Sequence, residues 1–414
     1  MVYPAPFTSN EKFFIILYPF LSSITQKFYR IRFMKKSLIA LAVGTFALGV
    51  AEFGMMGILG NVARSIDVNI VQAGNLISLY SLGVAVGAPM LLLFRNSPLK
   101  RLMLILSAII FIGNLLTSLY PSYGVLLCSR FLSGLPHGAY FGAGAIVCSK
   151  LAKQGSGAQA VAVMVGGMTV ANLVGVPLAT MVSNLLSWRM VFGGVAAIGF
   201  LAFLLIKLWV PYLAPLPKSN IKGQFKFLSN PQPWLVYAGV FFGQASVYCW
   251  LSYIDPIMTQ VTHFPADVMI WVMMLAGTGM VVGNAIAGKL ADKYGVSLVT
   301  GILAASMLVV MPLLYFASPY KVPSLLLMFL ATAGLFGIGG PLQYLIVKYA
   351  KGGEMLGGAG IQIAFNVSNA MSAAVGGLVI HQGFGLASPA FAGLPFAAIG
   401  ATALFILHHK YDHK

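Results

Sequence analysis

The sequence predicts an all-α integral membrane protein with twelve transmembrane helices in two pseudo-symmetric six-helix bundles. Composition is the first reason: 59% of the 414 residues are hydrophobic and 8% are charged, whereas a soluble domain carries about 25% charged residues. Spacing is the second. Apolar runs near twenty residues long recur between polar or Pro/Gly breaks, and a run of that length crosses a hydrocarbon core of about 30 Å as a helix. The third reason is charge, because Lys and Arg fall between the runs and gather on one side when the runs are threaded alternately through a bilayer.

Taken in order, residues 1–33 read as a peripheral N-terminal extension. Their apolar patch, Phe13 to Leu21, is too short to span, contains Pro19 and precedes no small-residue cleavage site, which argues against a signal peptide. Met34-Lys35-Lys36 reads as a translation start and leads into the first run, Ser37 to Leu59, about 33 Å long as a helix. Runs at 71–94, 101–119, 123–148, 158–184 and 189–210 complete a first bundle, 34–210. Pro211 to Pro231 is a Pro- and Lys-bearing linker, 211–231. Runs at 233–255, 267–288, 297–317, 322–347, 355–381 and 387–408 then form a second bundle, 232–414.

An amino terminus on the inside puts Lys35, Lys36, Arg95, Lys100, Arg101, Lys150, Lys153, Lys218, Lys222, Lys226, Lys289, Lys293, Lys348, Lys351 and Lys410 on the inner side. The outer loops then hold Arg64, Arg189 and Lys321. Both termini and the linker are therefore expected to face the cytoplasm across an inner, multi-pass membrane. The net charge of +17 is read as topology and not as a nucleic-acid surface, since no single basic face collects it. Cys128, Cys148 and Cys249 sit inside apolar runs without CxxC spacing, so neither a disulfide framework nor a metal site is expected. No P-loop of the form GxxxxGK followed by Ser or Thr and no HExxH occurs, which sets aside an ATP-driven pump and a zinc hydrolase. No cofactor is expected, and the chain is read as a monomer within the lipid bilayer; protons and a small-molecule solute join it as partners only through the resemblance given below.

One ionisable residue, Glu52, lies inside the first run. A charge there costs roughly 2.5–3.5 kcal/mol even on insertion scales, so it faces protein or a water-filled cavity. It is either a proton-carrying group or a structural carboxylate paired with a base. His137 is a second proton-handling candidate, or else a permanently neutral core histidine. Arg130, two turns before it on the same helix face, cannot release a proton but can tune a neighbour. Asp255, before Pro256, reads as a helix-end or gate residue. The second half offers Gln244, Tyr248, Trp250, Tyr253, Gln343, Gln362 and Asn366, amides and aromatics that suit a neutral polyol or amphipathic solute, or that simply tie helices together.

Several motifs resemble the major facilitator superfamily from Met34 to the carboxyl end. Gly288-Lys289-Leu290-Ala291-Asp292-Lys293-Tyr294-Gly295 is similar to its signature cytoplasmic loop, while Phe94 to Arg101 keeps the basic residues of the equivalent first-half loop without the acidic one. Arg130-Phe131-Leu132-Ser133-Gly134 with Gly138 resembles the helix-four pattern around an embedded Arg. Gly166-Gly167, Gly175-Val176-Pro177 and Ser187-Trp188-Arg189 resemble the antiporter signature of proton-coupled exporters. With GTFALGVAEFGMMGIL and GIQIAFNVSNA, the chain resembles the AraJ-like sugar-efflux branch. The resemblance implies alternating rocking of two halves and export of sugars, sugar derivatives and small drugs in exchange for protons. It also implies gating roles for Asp292, Lys293, Gly288, Gly295, Gly175 and Pro177, and a cavity lined by helices one, four, seven and ten. A passive facilitator or importer of the same fold is the rival reading, followed by a non-transport polytopic membrane enzyme. Glu52 and Arg130 each lie about 10 Å from the outer ends of their helices, and with helices one and four lining the cavity, as the resemblance implies, they are expected to meet as an ion pair.

Overall fold

The structure, a computed structural model, describes residues 36–90, 97–120, 122–152, 157–215, 225–351 and 353–412. The extension 1–33, Arg95, Lys153, Lys218 and Lys222 lie outside the described residues. The spans are α1 (Lys36–Phe53), α2 (Ile70–Met90), α3 (Leu99–Leu119), α4 (Tyr123–Gly134 and Pro136–Leu151), α5 (Gly157–Val170 and Val176–Leu185) and α6 (Trp188–Trp209). The remainder are α7 (Pro231–Leu251), α8 (Met269–Tyr294), α9 (Val296–Ala317), α10 (Lys321–Tyr349), α11 (Glu354–His381) and α12 (Pro389–Asp412).

Among the described residues, 11 helices are long and apolar enough to cross a membrane. The twelfth span is α4, interrupted at Leu135. Leu135 keeps helical angles, φ −48° and ψ −44°, but Pro136 has no N–H to give the preceding turn. A π turn, Ala171–Gly175, interrupts α5 just before Pro177 for the same reason.

Two spans end earlier than the apolar runs suggest. The first run is not one helix to Leu59. After Phe53 the chain tightens, with Gly57 N–H donating to Gly54 and Ile58 N–H to Met55, and a short helix follows at Leu59–Ser65. Gly57 permits the tightening, since a Cβ there would lie 2.6 Å from Thr180 Oγ1 and 3.1 Å from Met273 Cε. Helix α7 stops at Leu251, and the turn Ile254–Pro256 carries Asp255 beyond it.

The packing partners repeat with a shift of six spans. Helix α2 packs on α4 as α8 packs on α10, α3 on α6 as α9 on α12, and α5 on α8 as α11 on α2. That repetition is the two-fold pseudo-symmetry of the fold, and the last two pairings join its halves. Glycines let backbones meet at these crossings: a Cβ on Gly83 or Gly134 would strike the carbonyl oxygen of Phe131 or Tyr80 between α2 and α4. Buried hydroxyls bond back along their own helices, as Ser107 does to the Met103 carbonyl at 2.9 Å and Thr332 to Met328 at 3.0 Å. Large apolar side chains such as Ile112, Leu208, Val309 and Leu326 remain exposed on the outer surfaces of the spans, the arrangement a bilayer requires of its solute.

The two ends of the bundle differ. At the end holding both the start of α1 and the end of α12, Lys100 Nζ donates to the Lys207 carbonyl at 2.9 Å, and Asp412 accepts from Tyr349 at 2.9 Å beside Lys348 at 3.6 Å. These ties stay within one half. At the opposite end the halves are joined: Gly60 N–H donates to Asp255 and Asn184 to the Ala266 carbonyl.

Candidate functional site

A central cavity opens toward the end that carries the termini. Its inner compartment, about 180 Å³, is lined by His137 and Phe141 from α4, Asn172 from α5, Gln244 from α7, and Phe336 and Gln343 from α10, with Gln362 and Phe365 from α11. A wider compartment of about 650 Å³ shares Phe141, Gln343 and Gln362 and reaches Ser149, Lys150 and Val347. Helices α4, α5, α7, α10 and α11 thus form its walls, with Asn284 of α8 at the inner compartment and Glu52 of α1 behind His137.

Glu52 is 1% exposed. Its Oε1 accepts from Asn369 Nδ2 of α11 at 3.4 Å, a bond between the two halves, and its Oε2 lies 3.7 Å from His137 Nδ1 without a hydrogen-bond partner among the described residues. The His137 ring stacks on Phe141, 5.3 Å between centroids, and Nδ1 is 3.0 Å from the Tyr80 hydroxyl. That hydroxyl also lies 3.3 Å from the Leu48 carbonyl. Tyr80 has one proton for two acceptors, so His137 Nδ1 either receives it or donates its own. Carboxyl, imidazole and phenol therefore form a chain of titratable groups, with a hydrogen-bond contact of 3.0 Å between imidazole and phenol and a longer approach of 3.7 Å between carboxyl and imidazole. Burial disfavours the charged form of any carboxyl group and donors favour it, so such a chain responds to what enters beside it.

The expected ion pair between Glu52 and Arg130 is not formed. Arg130, wholly buried, donates through Nη2 to the Ala51 carbonyl at 2.8 Å and through Nε to Leu76 at 3.4 Å. Its guanidinium also lies 4.3 Å over the Tyr80 ring and 5.1 Å over Phe192. Main-chain oxygens and aromatic faces supply what a carboxylate was expected to supply, and Arg130 thereby fixes Tyr80, which meets His137.

The structure distributes the second-half candidates unevenly. Gln343 and Gln362 line both compartments, and Gln244 lines the inner one with Nε2 on the Leu335 carbonyl at 2.8 Å and a buried Oε1 that has no partner among the described residues. Tyr248 is wholly buried and edge-on to Phe365 at 5.5 Å, its hydroxyl without a hydrogen-bond partner among the described residues. Asn366 turns its amide to the Gln362 carbonyl of its own helix at 2.9 Å. Tyr253 lies outside both compartments: its hydroxyl donates to the Ala373 carbonyl at 2.8 Å, and its ring presses on Gly74 and Gly377 at the closed end. Trp250 is buried with Nε1 unpartnered.

Of the gating candidates, Gly175 sits where a Cβ would meet Val50 at 2.6 Å and Phe46 at 3.0 Å, so it sets how closely α5 approaches α1. Pro177 is buried at the start of the second piece of α5. Gly295 takes φ +94° in the turn between α8 and α9, a conformation that favours glycine, and Gly288 has open space around it. Asp292 and Lys293 are exposed in the last turn of α8, with Lys293 4.9 Å from the Tyr294 ring and no ion pair to either among the described residues.

Sequence reasoning missed Tyr80, Asn369 and Asn284 as members of the site. The available signal was a polar head inside an apolar span, which must find a partner when buried.

A family model described as Major Facilitator Superfamily matches residues 41–361. The chain is 43% identical over 376 residues to the Escherichia coli (strain K12) protein named "Putative transporter AraJ", covering 90% of this chain and 95% of that one. It is 26% identical to a "Probable sugar efflux transporter" of Helicobacter pylori (strain ATCC 700392 / 26695), covering 93% of this chain and 97% of that one. The crystal structure of a D-xylose-proton symporter superposes with a TM-score of 0.70 at 14% identity over 92% of this chain and 98% of that one, a likeness of fold.

Proposed function

Since this chain belongs to the major facilitator superfamily, a family of transporters and not of enzymes, we propose that it exports small solutes, sugars or sugar derivatives among them, from the cytoplasm in exchange for protons. In this reading it acts as a monomer whose bundles, 34–210 and 232–414, rock about the linker 211–231, with both termini cytoplasmic. The observation that carries it is Glu52. A buried carboxyl group, bonded across the halves to Asn369 and set 3.7 Å from His137 behind the cavity, has the properties a coupling group needs: its charge state alters a contact that must break when the halves rock. The polar lining, Gln244, Gln343, Gln362 and Asn172, offers donors and acceptors to hydroxyl groups, and Phe141, Phe336 and Phe365 offer apolar faces. The sugar-efflux name of the Helicobacter relative supports the solute class, and the cluster of Lys and Arg at the cavity's open end supports its sidedness.

The test is solute uptake into inverted membrane vesicles with and without a pH gradient. Accumulation that depends on an acidic lumen is expected; accumulation that ignores the gradient, or that needs the opposite one, refutes proton antiport.

A further inference from the structure

At the closed end, one carboxylate joins the two halves. Asp255 lies past the end of α7 in the turn Ile254–Pro256 and is 8% exposed. Its Oδ2 accepts from the Gly60 N–H at 2.6 Å, linking residues 195 apart in sequence. The approach depends on glycine, since a Cβ on Gly60 would lie 2.7 Å from that oxygen. The segments packed on the turn are Met56–Ile58, Leu59–Ser65 and Ile257–Val261. Arg64, exposed, is the single charged or titratable side chain they bring.

We propose that Asp255 is a second proton-binding site, separate from Glu52, and that taking up a proton from the outer side closes the outer gate. The word "outer" rests on the sidedness proposed above.

Closing the gate strips water from a carboxylate and returns one backbone hydrogen bond and one solvent-screened cation. Burial outweighs both, and Asp255 is pushed up to about 6. Opening returns the group to water and to the ordinary carboxylate range near 3.9. The closed state therefore binds the proton more tightly than the open one. Acid favours closure, and the preference fades as pH rises through about 6. Between pH 7 and pH 5 the closed-to-open ratio should rise about tenfold. The acidic side of the membrane, from which an antiporter draws its protons, would then drive the return stroke as well as load the coupling group.

The experiment measures gate distance without transport. Spin labels at Leu186→Cys and Tyr320→Cys, exposed positions in separate halves at this end, are placed in a background of Cys128→Ser, Cys148→Ala and Cys249→Ala, and distances are recorded in lipid nanodiscs from pH 5 to pH 8. The short-distance population should grow about tenfold relative to the long one as pH falls from 7 to 5. Asp255→Asn, neutral at every pH and still able to accept from Gly60, should be closed throughout and insensitive to pH. Glu52→Gln should retain the response. A distance distribution that ignores pH in the parent, or a response that survives Asp255→Asn and vanishes in Glu52→Gln, overturns the proposal. Vesicle transport reads the exporter assignment separately, so either can fail without the other.

Discussion

Glu52→Gln should separate two properties that usually fail together, transport and stability. The amide keeps the oxygen that accepts from Asn369 and keeps the side-chain shape. It removes a charge whose second oxygen has no hydrogen-bond partner and whose nearest imidazole nitrogen is 3.7 Å away. Such a charge at the bilayer centre costs about 2.5–3.5 kcal/mol on insertion scales, and one long hydrogen bond returns on the order of 1 kcal/mol. In alkaline buffer the variant should therefore be more stable than the parent by about 1.5–2.5 kcal/mol, read as a higher thermal midpoint in detergent. Transport should move the other way. A gradient of one pH unit supports about tenfold accumulation per proton exchanged, and the variant should support none while still exchanging solute for solute across the membrane. A variant that accumulates solute several-fold under that gradient, or that melts earlier than the parent, would refute the assignment of Glu52 as the coupling group.

The remaining predictions concern the surroundings of that carboxyl. Asn369→Leu removes a donor that joins the halves; the closed-to-open ratio at the far end should drop about fivefold, on the order of 1 kcal/mol, in the same distance measurement. Arg130→Lys cannot serve two carbonyls and two ring faces at once and should cost about 2–4 kcal/mol, seen as a lowered melting midpoint. Gly134→Ala places a methyl against the Tyr80 carbonyl and should cost about 1–3 kcal/mol through overpacking of α2 on α4, by the same readout. Asp292→Asn, exposed and outside any ion pair in the described residues, should leave stability within about 0.5 kcal/mol and change cysteine labelling of the inner end only; unchanged labelling would remove Asp292 from the gate.

What could be read in the sequence follows from the bilayer. Hydrocarbon forces every backbone group to be satisfied within its own helix, so apolar runs announce spans, and most positions and the even count of crossings were legible. The breaks were less so. Pro136 was visible in the fourth run, but its effect is a joint that keeps helical angles at Leu135; the tightening after Phe53 depends on Thr180 and Met273 approaching from distant helices. The site divided along the same line. Glu52, His137 and Arg130 stood out because charge is scarce in membranes. Their partners did not, because Asn369 and Tyr80 acquire meaning only when α11 and α2 are brought against α1 and α4. Pairing Glu52 with Arg130 by matched depth and an implied cavity lining failed because carbonyl oxygens and ring faces carry no mark in a residue pattern.

The coordination of Arg130 bears on how the chain is made as well as on how it works. Its acceptors come from α1 and α2, and its stacking rings from α2 and α6. When α4 leaves the ribosome, α6 has not been synthesised, and a lone guanidinium in hydrocarbon is costly. The cation has to be sheltered until α6 arrives, by α1 and α2 already in place, by water or by the insertion machinery. Phe192 is thus the last of these partners to be made, and the surroundings of Arg130 are complete only once α6 has joined the amino-terminal half.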